Sequence, residues 1–176
     1  MSIIRRPDVS EYDARYAQYI DLVPEADLPQ ALSRQLDETR NLIAGIPESR
    51  IDFPYAAGEW TVREILGHLL DSERIFGFRL LCFGRGDTVS LERADQNMYV
   101  KNAEFDRYVF DDLFQEFALV RTANVSLLRY LPTEAWDRVG TVGGLSISVR
   151  AIAFLMLGHE RHHLATVRTK YLRDSA

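Results

Sequence analysis

Apolar residues recur at helical intervals in four long stretches, each bounded by capping, proline or glycine residues. Leu28, Leu32, Leu36, Ile43 and Ile46 form the first stripe. Asp27 precedes it as a helix cap, and Pro29 sits in the first turn, where a missing N–H breaks no helical bond. Pro47 stops it, so a helix is expected over 28–46. The second stripe is Val62, Ile65, Leu66, Leu69 and Phe76, running to about Phe83. Thr61-Val62-Arg63-Glu64 opens it as a capping box, and Gly84-Arg85-Gly86-Asp87 closes it, the Arg-Gly-Asp triplet reading as a solvated helix stop. A third helix is expected over 111–131, with Leu113, Phe114, Phe117, Val120, Leu127 and Leu131 on its inner face. Ser148 caps a fourth that runs to about Leu172 and carries Ile152, Leu155, Met156, His159 and His163 on one stripe. Four such helices predict an all-α four-helix bundle, a single domain spanning 27–172.

The intervening segments carry less pattern. Residues 1–26 read as an N-terminal extension packed on the bundle. Tyr12, Tyr16 and Tyr19 share one side of a short helix there, and Pro24 ends it. Residues 87–108 are polar and poorly periodic, a long connection between the second and third helices. A connection of that length suits a crossover between helices that are not antiparallel neighbours. Leu145 to Val149 alternates apolar residues with serine, which fits a short extended segment.

Charge and cysteine content narrow the function. A net charge of −5 argues against bulk nucleic-acid binding, which needs a basic face. Cys82 is alone, so neither an intrachain disulfide nor a cysteine-rich zinc site can form. The apolar run Ala151–Leu157 is far too short to span a bilayer, and no apolar run follows Arg5 and Arg6. A cytoplasmic protein without membrane partners is the expectation.

Three of the four histidines fall within Gly158-His159-Glu160-Arg161-His162-His163-Leu164. Residues four apart on a helix lie one turn apart on nearly the same face, so His159 and His163 can chelate one ion. His68 lies on the inward stripe of the second helix and supplies a third imidazole. His162, about 60° away from the His159 face on a helical wheel, is the alternative to His163 but is expected outside the ligand set. Three imidazoles suit a divalent metal and leave a position open to substrate. His159-Glu160-Arg161-His162-His163 also matches H-E-x-x-H, which would make Glu160 a base. The missing H-x-x-G-x-x-H extension and the absence of cleft-forming strands favour a solvated helix position for Glu160 instead. Asp71 is a second candidate base, and Asp71 and Glu73 are candidate acceptors for an imidazole N–H, with surface charge the simpler reading for Glu73. Asn124 falls on the third stripe as a buried amide. Arg79, Arg121 and Asn124 are candidates for recognising a carboxylate or amide of a cofactor or substrate.

Trp60-Thr61-Val62-Arg63-Glu64-Ile65-Leu66-Gly67-His68-Leu69-Leu70-Asp71-Ser72-Glu73-Arg74 resembles the W-(S/T)-x-x-E-x-x-x-H-x-x-D-x-E signature of the DinB superfamily, YfiT-like branch. Gly158 to His163 resembles that family's second signature, and the order of elements fits over roughly residues 25–172. The resemblance implies an up-down-down-up bundle, often a homodimer, whose histidine triad of His68, His159 and His163 holds zinc or nickel. Relatives of this kind include S-transferases dependent on bacillithiol or mycothiol, a mycothiol-dependent maleylpyruvate isomerase, and proteins assigned as metal-dependent hydrolases. The expectation is therefore a metal-dependent thiol S-transferase that uses a low-molecular-weight thiol on a small-molecule substrate. The alternatives are a metal-dependent hydrolase and a non-catalytic, stress-related metal-binding protein.

Overall fold

The computed structural model describes residues 4–172. Residues 1–3 of the N-terminal extension lie outside that range. The extension is not one helix. Two 3-10 turns, Val9–Glu11 and Ala14–Tyr16, lead into the single turn α1 (Ala17–Ile20). Tyr12 adopts an extended backbone and Asp13 accepts the Arg15 N–H, which breaks the helical path the tyrosine spacing had suggested.

The bundle helices follow. α2 (Leu28–Ala44) starts at Asp27, whose carboxylate accepts the Gln30 N–H. After the single turn α3 (Glu48–Ile51), α4 (Val62–Gly84) opens on the capping box. The Thr61 hydroxyl accepts from the Glu64 N–H at 3.1 Å, and Glu64 accepts from the Thr61 N–H at 2.7 Å. The connection after α4 is more structured than its composition suggests. It holds β1 (Ser90–Leu91), α5 (Gln96–Ala103) and a 3-10 turn before α6 (Phe110–Arg129). A hairpin of β2 (Val139–Val142) and β3 (Leu145–Ser148) then precedes α7 (Val149–Lys170). β2 pairs antiparallel with β3 and parallel with β1, giving a small three-stranded sheet at one end. Ser148, the last strand residue, also caps α7 by accepting the Ala151 N–H.

Contacts along the helices fix their directions. Gly77 of α4 meets Asn124 within α6 and Gly84 meets Leu131 just beyond it, so these helices run parallel. His68 faces His159 and His163, while Phe76 faces His159, so α4 and α7 run antiparallel. Arg121 reaches the Leu32 carbonyl and Arg40 lies over Phe114, so α2 and α6 run antiparallel. The order is up-down-down-up, and the chain after α4 must return the length of the bundle before α6 can start. That return is the long connection. Among the described residues, no helix is long and apolar enough to cross a membrane.

The extension lies against α7. Arg161 donates to the Leu22 carbonyl and to Glu25, tying residues 22–25 to the last helix. A Cβ on Gly158 would overlap the Tyr19 carbonyl oxygen, so only glycine allows this approach.

Candidate metal centre

Two helices supply the three imidazoles. His68 is in the second turn of α4, and His159 and His163 lie one turn apart on α7. His68 Nε2 lies 3.1 Å from His159 Nε2, and His163 Nε2 lies 3.2 Å from the same atom. One ring nitrogen carries either a proton or a lone pair, so His159 Nε2 cannot satisfy both partners by donation and by acceptance at once. A cation among three lone pairs resolves the conflict. Ligand nitrogens at ordinary zinc distances in a tetrahedron are about 3.4 Å apart, close to what is found here. The donor set and its spacing therefore fit a divalent metal, and His68, His159 and His163 are the residues that could hold it.

The surroundings keep these rings neutral. Burial lowers the His68 pKa to about 4. Burial and the neighbouring His68 and His162 lower that of His163 to about 3. His159 is pushed well below its ordinary value by burial first, then by His163, His68 and His162. Neutral imidazole is the form that binds metal. Trp60 packs against His68 with ring centroids 4.8 Å apart and stacks on His163 at 6.3 Å, closing one side. Tyr19 meets His159 edge-on at 5.4 Å from the N-terminal extension. His162 points elsewhere, against Tyr19 and His163, outside the triad.

A cavity of about 670 Å³ reaches two of the three imidazoles. His68 and His159 lie in its wall together with Asp71, Ser72, Phe76 and Arg79. Tyr16 and Tyr19 line it from the extension, and Arg93, Gln96 and Tyr99 from the long connection. Asp71 is the acidic residue nearest in sequence to His68 on this wall. Burial raises its pKa, opposed by Arg74 and reinforced by Glu116, which suits a group that exchanges a proton.

Four sequence expectations need correction. Glu160 is neither solvated nor a free base. It is 1% exposed, accepts from Gln35 and from the Thr39 hydroxyl at 2.6 Å, and pairs with Arg121 at 2.8 Å. Glu73 is not surface charge but 2% exposed, bridged by Arg121 at 2.8 and 2.9 Å. Arg121 and Asn124 do not reach the cavity. Arg121 is 1% exposed between the two carboxylates, and Asn124 donates to the Glu73 carbonyl and carboxylate. Burial disfavours the Arg121 charge, but Glu160 and Glu73 outweigh it and hold the guanidinium pKa above its usual range. Of the recognition candidates, only Arg79 lines the cavity. Tyr19 and Arg93 carry no motif that marks them as site residues, and Trp60 only opens the first signature, yet Trp60 packs on the imidazoles and Tyr19 and Arg93 line the cavity. Gln35 and Thr39 left a trace, two polar residues four apart inside the apolar stripe of α2.

A helical bundle whose two antiparallel helices bring three imidazoles together, two of them in the wall of a cavity, defines the class: a helical-bundle protein with a candidate three-histidine metal centre. The family model of the DinB superfamily matches residues 31–167, and the chain belongs to that family. A solved structure of YfiT from Bacillus subtilis is similar over 92% of this chain and 89% of its own, with a TM-score of 0.73 and 20% identity. That protein is described as a probable metal-dependent hydrolase with an unusual four-helix bundle topology. A comparison with curated proteins gives no match.

Proposed function

We propose that the protein is a metal-dependent enzyme that brings a small-molecule thiol to an electrophilic substrate, with His68, His159 and His163 as the ligands. The observation that carries this reading is the opening of the cavity onto His68 and His159. A divalent ion held by three neutral imidazoles supplies Lewis acidity and lowers the pKa of a thiol or water that reaches it. The chain's own groups support the rest. Cys82 is not in the cavity wall, and burial raises its pKa, so the nucleophile is expected to come with the reactants. Asp71 lines the same wall as His68, which supports it as the group that takes the proton such a nucleophile loses. Trp60 shields the ligand side from water, and Tyr16, Tyr19 and Phe76 provide apolar wall for a substrate.

Hydrolysis is the second reading. The raised pKa of Asp71 favours it, as does the likeness to YfiT, with water in place of the thiol. The two separate in one experiment. Zinc- or nickel-loaded protein is incubated with cysteine or 2-mercaptoethanol and 1-chloro-2,4-dinitrobenzene, then with nitrophenyl esters and anilides. Thiol-dependent release of chloride supports the first reading, and thiol-independent release of nitrophenol the second. Turnover in neither set, with metal bound, sinks both.

A further inference from the structure

One wall of the cavity is a single face of α4. His68, Asp71, Ser72, Ile75, Phe76 and Arg79 lie three or four residues apart and all line it. His68 and Arg79 are eleven residues apart, so their Cα atoms lie about 16 Å from each other along the helix. The triad is thus at one end of the cavity and Arg79 toward the other. Arg93 lines the same cavity from the connection that precedes α5.

Arg79 stands out as a half-buried arginine without an ion pair among the described residues, and the exposed Arg93 lines the cavity beside it. The protein has a net charge of −5, and most of its arginines pair with an acid. Arg79 and Arg93 form no ion pair among the described residues. The single hydrogen bond of Arg79 is a long one, 3.4 Å to the Glu92 carbonyl. Nearby acids are otherwise engaged. Asp95 accepts the Asn97 and Met98 N–H groups, and Asp13 is held by Arg15 at 2.6 Å and feels Arg93 only weakly, after Arg15. A guanidinium taken partly out of water without a counter-ion is costly, and a second cation beside it adds to the cost. Burial lowers the Arg79 pKa, and Arg93 lowers it further against an opposing effect of Tyr16. A planar guanidinium matches a carboxylate in a bidentate geometry, so an anion from solution would relieve both costs.

We infer that Arg79 and Arg93 form an anion subsite, and that the natural ligand is an elongated small molecule with its carboxylate held there and its reacting end at the histidine triad. The inference deepens the proposed function and rests on the reading of this cavity as an active site. The carboxylate can belong to the thiol or to the electrophile, and the two are distinguishable.

Calorimetric titrations test it with adipate, its neutral dimethyl ester and glutathione as probes, on wild-type protein with and without zinc. Adipate is expected to bind metal-free protein, its ester at least tenfold more weakly. Arg79→Met and Arg93→Met are expected to weaken adipate at least tenfold while zinc content stays at the wild-type level, and Arg79→Lys to weaken it less. Zinc-dependent tightening of glutathione assigns the carboxylate to the thiol. Adipate binding without glutathione binding assigns it to the electrophile. Equal affinity for adipate and its ester, unchanged affinity in both methionine variants, or no binding of either anionic probe overturns the inference. Because adipate is titrated without metal, failure of the metal reading leaves this result legible.

Discussion

Nη2 of Arg121 stands 2.8 Å from Oε2 of Glu160, the residue that follows His159 of the triad. The same guanidinium bridges Glu73, five residues after His68 on α4. Arg121 on α6 therefore pins together the two helices that carry the imidazoles. In a protease-like H-E-x-x-H site the glutamate would face the metal. Here it faces α2 and α6, so its removal should cost stability before it costs chemistry. Glu160→Ala is expected to lower the unfolding free energy by about 3 kcal/mol, since it strips a partner from a buried charge and from Gln35 and Thr39. Urea denaturation measures this. A wild-type unfolding curve with turnover abolished would instead make Glu160 a base.

The triad makes its own claim on composition. His68→Ala, His159→Ala and His163→Ala should each lose most bound metal by plasma mass spectrometry, and His162→Ala should keep one ion per chain. Saturating metal at a hundred times its Kd adds about 2.7 kcal/mol to stability, a rise in Tm of about 5–10 °C that a chelator reverses. Retention of metal by His163→Ala and its loss from His162→Ala would move the third ligand.

Acid should unfold the metal-free protein early. His68 titrates at about 4 when folded against 6.5 when free, and His163 at about 3. Both folded values are depressed, so the unfolded chain binds more protons in between. Stability is then fully present above about pH 6.5 and drains as the pH falls toward 4, with His68 alone removing about 3 kcal/mol. Chemical denaturation at pH 7.5, 6.0 and 5.0 follows the loss, and His68→Phe should flatten it. Equal stability at the three values would show that the rings are solvated.

Gly158→Ala should detach the extension and spare the bundle. The new methyl overlaps the Tyr19 carbonyl, a backbone atom that moves only with its segment. Overpacking of this kind costs about 1–3 kcal/mol. Proteolysis should accelerate within residues 17–27, with KM for a cavity-bound substrate rising more than kcat falls. Unchanged proteolysis and kinetics would mean that the segment does not shape the site.

The four bundle helices were readable because each has a cap, a stripe and a stop. Asp27, Thr61 and Ser148 cap where expected, and all four predicted ends fall within about two residues of those found. The converging histidines were readable from spacing and inward position. What was not readable were partners far apart in sequence. Whether Glu73 meets water or Arg121 depends on how α4 and α6 face each other, and a periodicity within one helix carries no such information. The connection misled for a different reason. Its α5 is eight residues long, too short to repeat a stripe, and only Asp95 signals its start. Tyr12 shows the opposite error, a helical spacing undone by local hydrogen bonds at Asp8 and Asp13.

Because α4 and α6 run parallel, the chain must spend some two dozen residues returning between them, and that obligatory return passes beside the cavity mouth. The imidazoles stand on rigid helices braced by a buried ion cluster. Arg93, Gln96 and Tyr99 stand on the return, and Tyr16 and Tyr19 on the extension. Apart from the face of α4 that runs from His68 to Arg79, much of the cavity wall is thus encoded in stretches of chain separate from the helices that carry the imidazoles. Exchanging residues 88–104 for another loop of similar length should change which molecules enter while leaving His68, His159 and His163 in place.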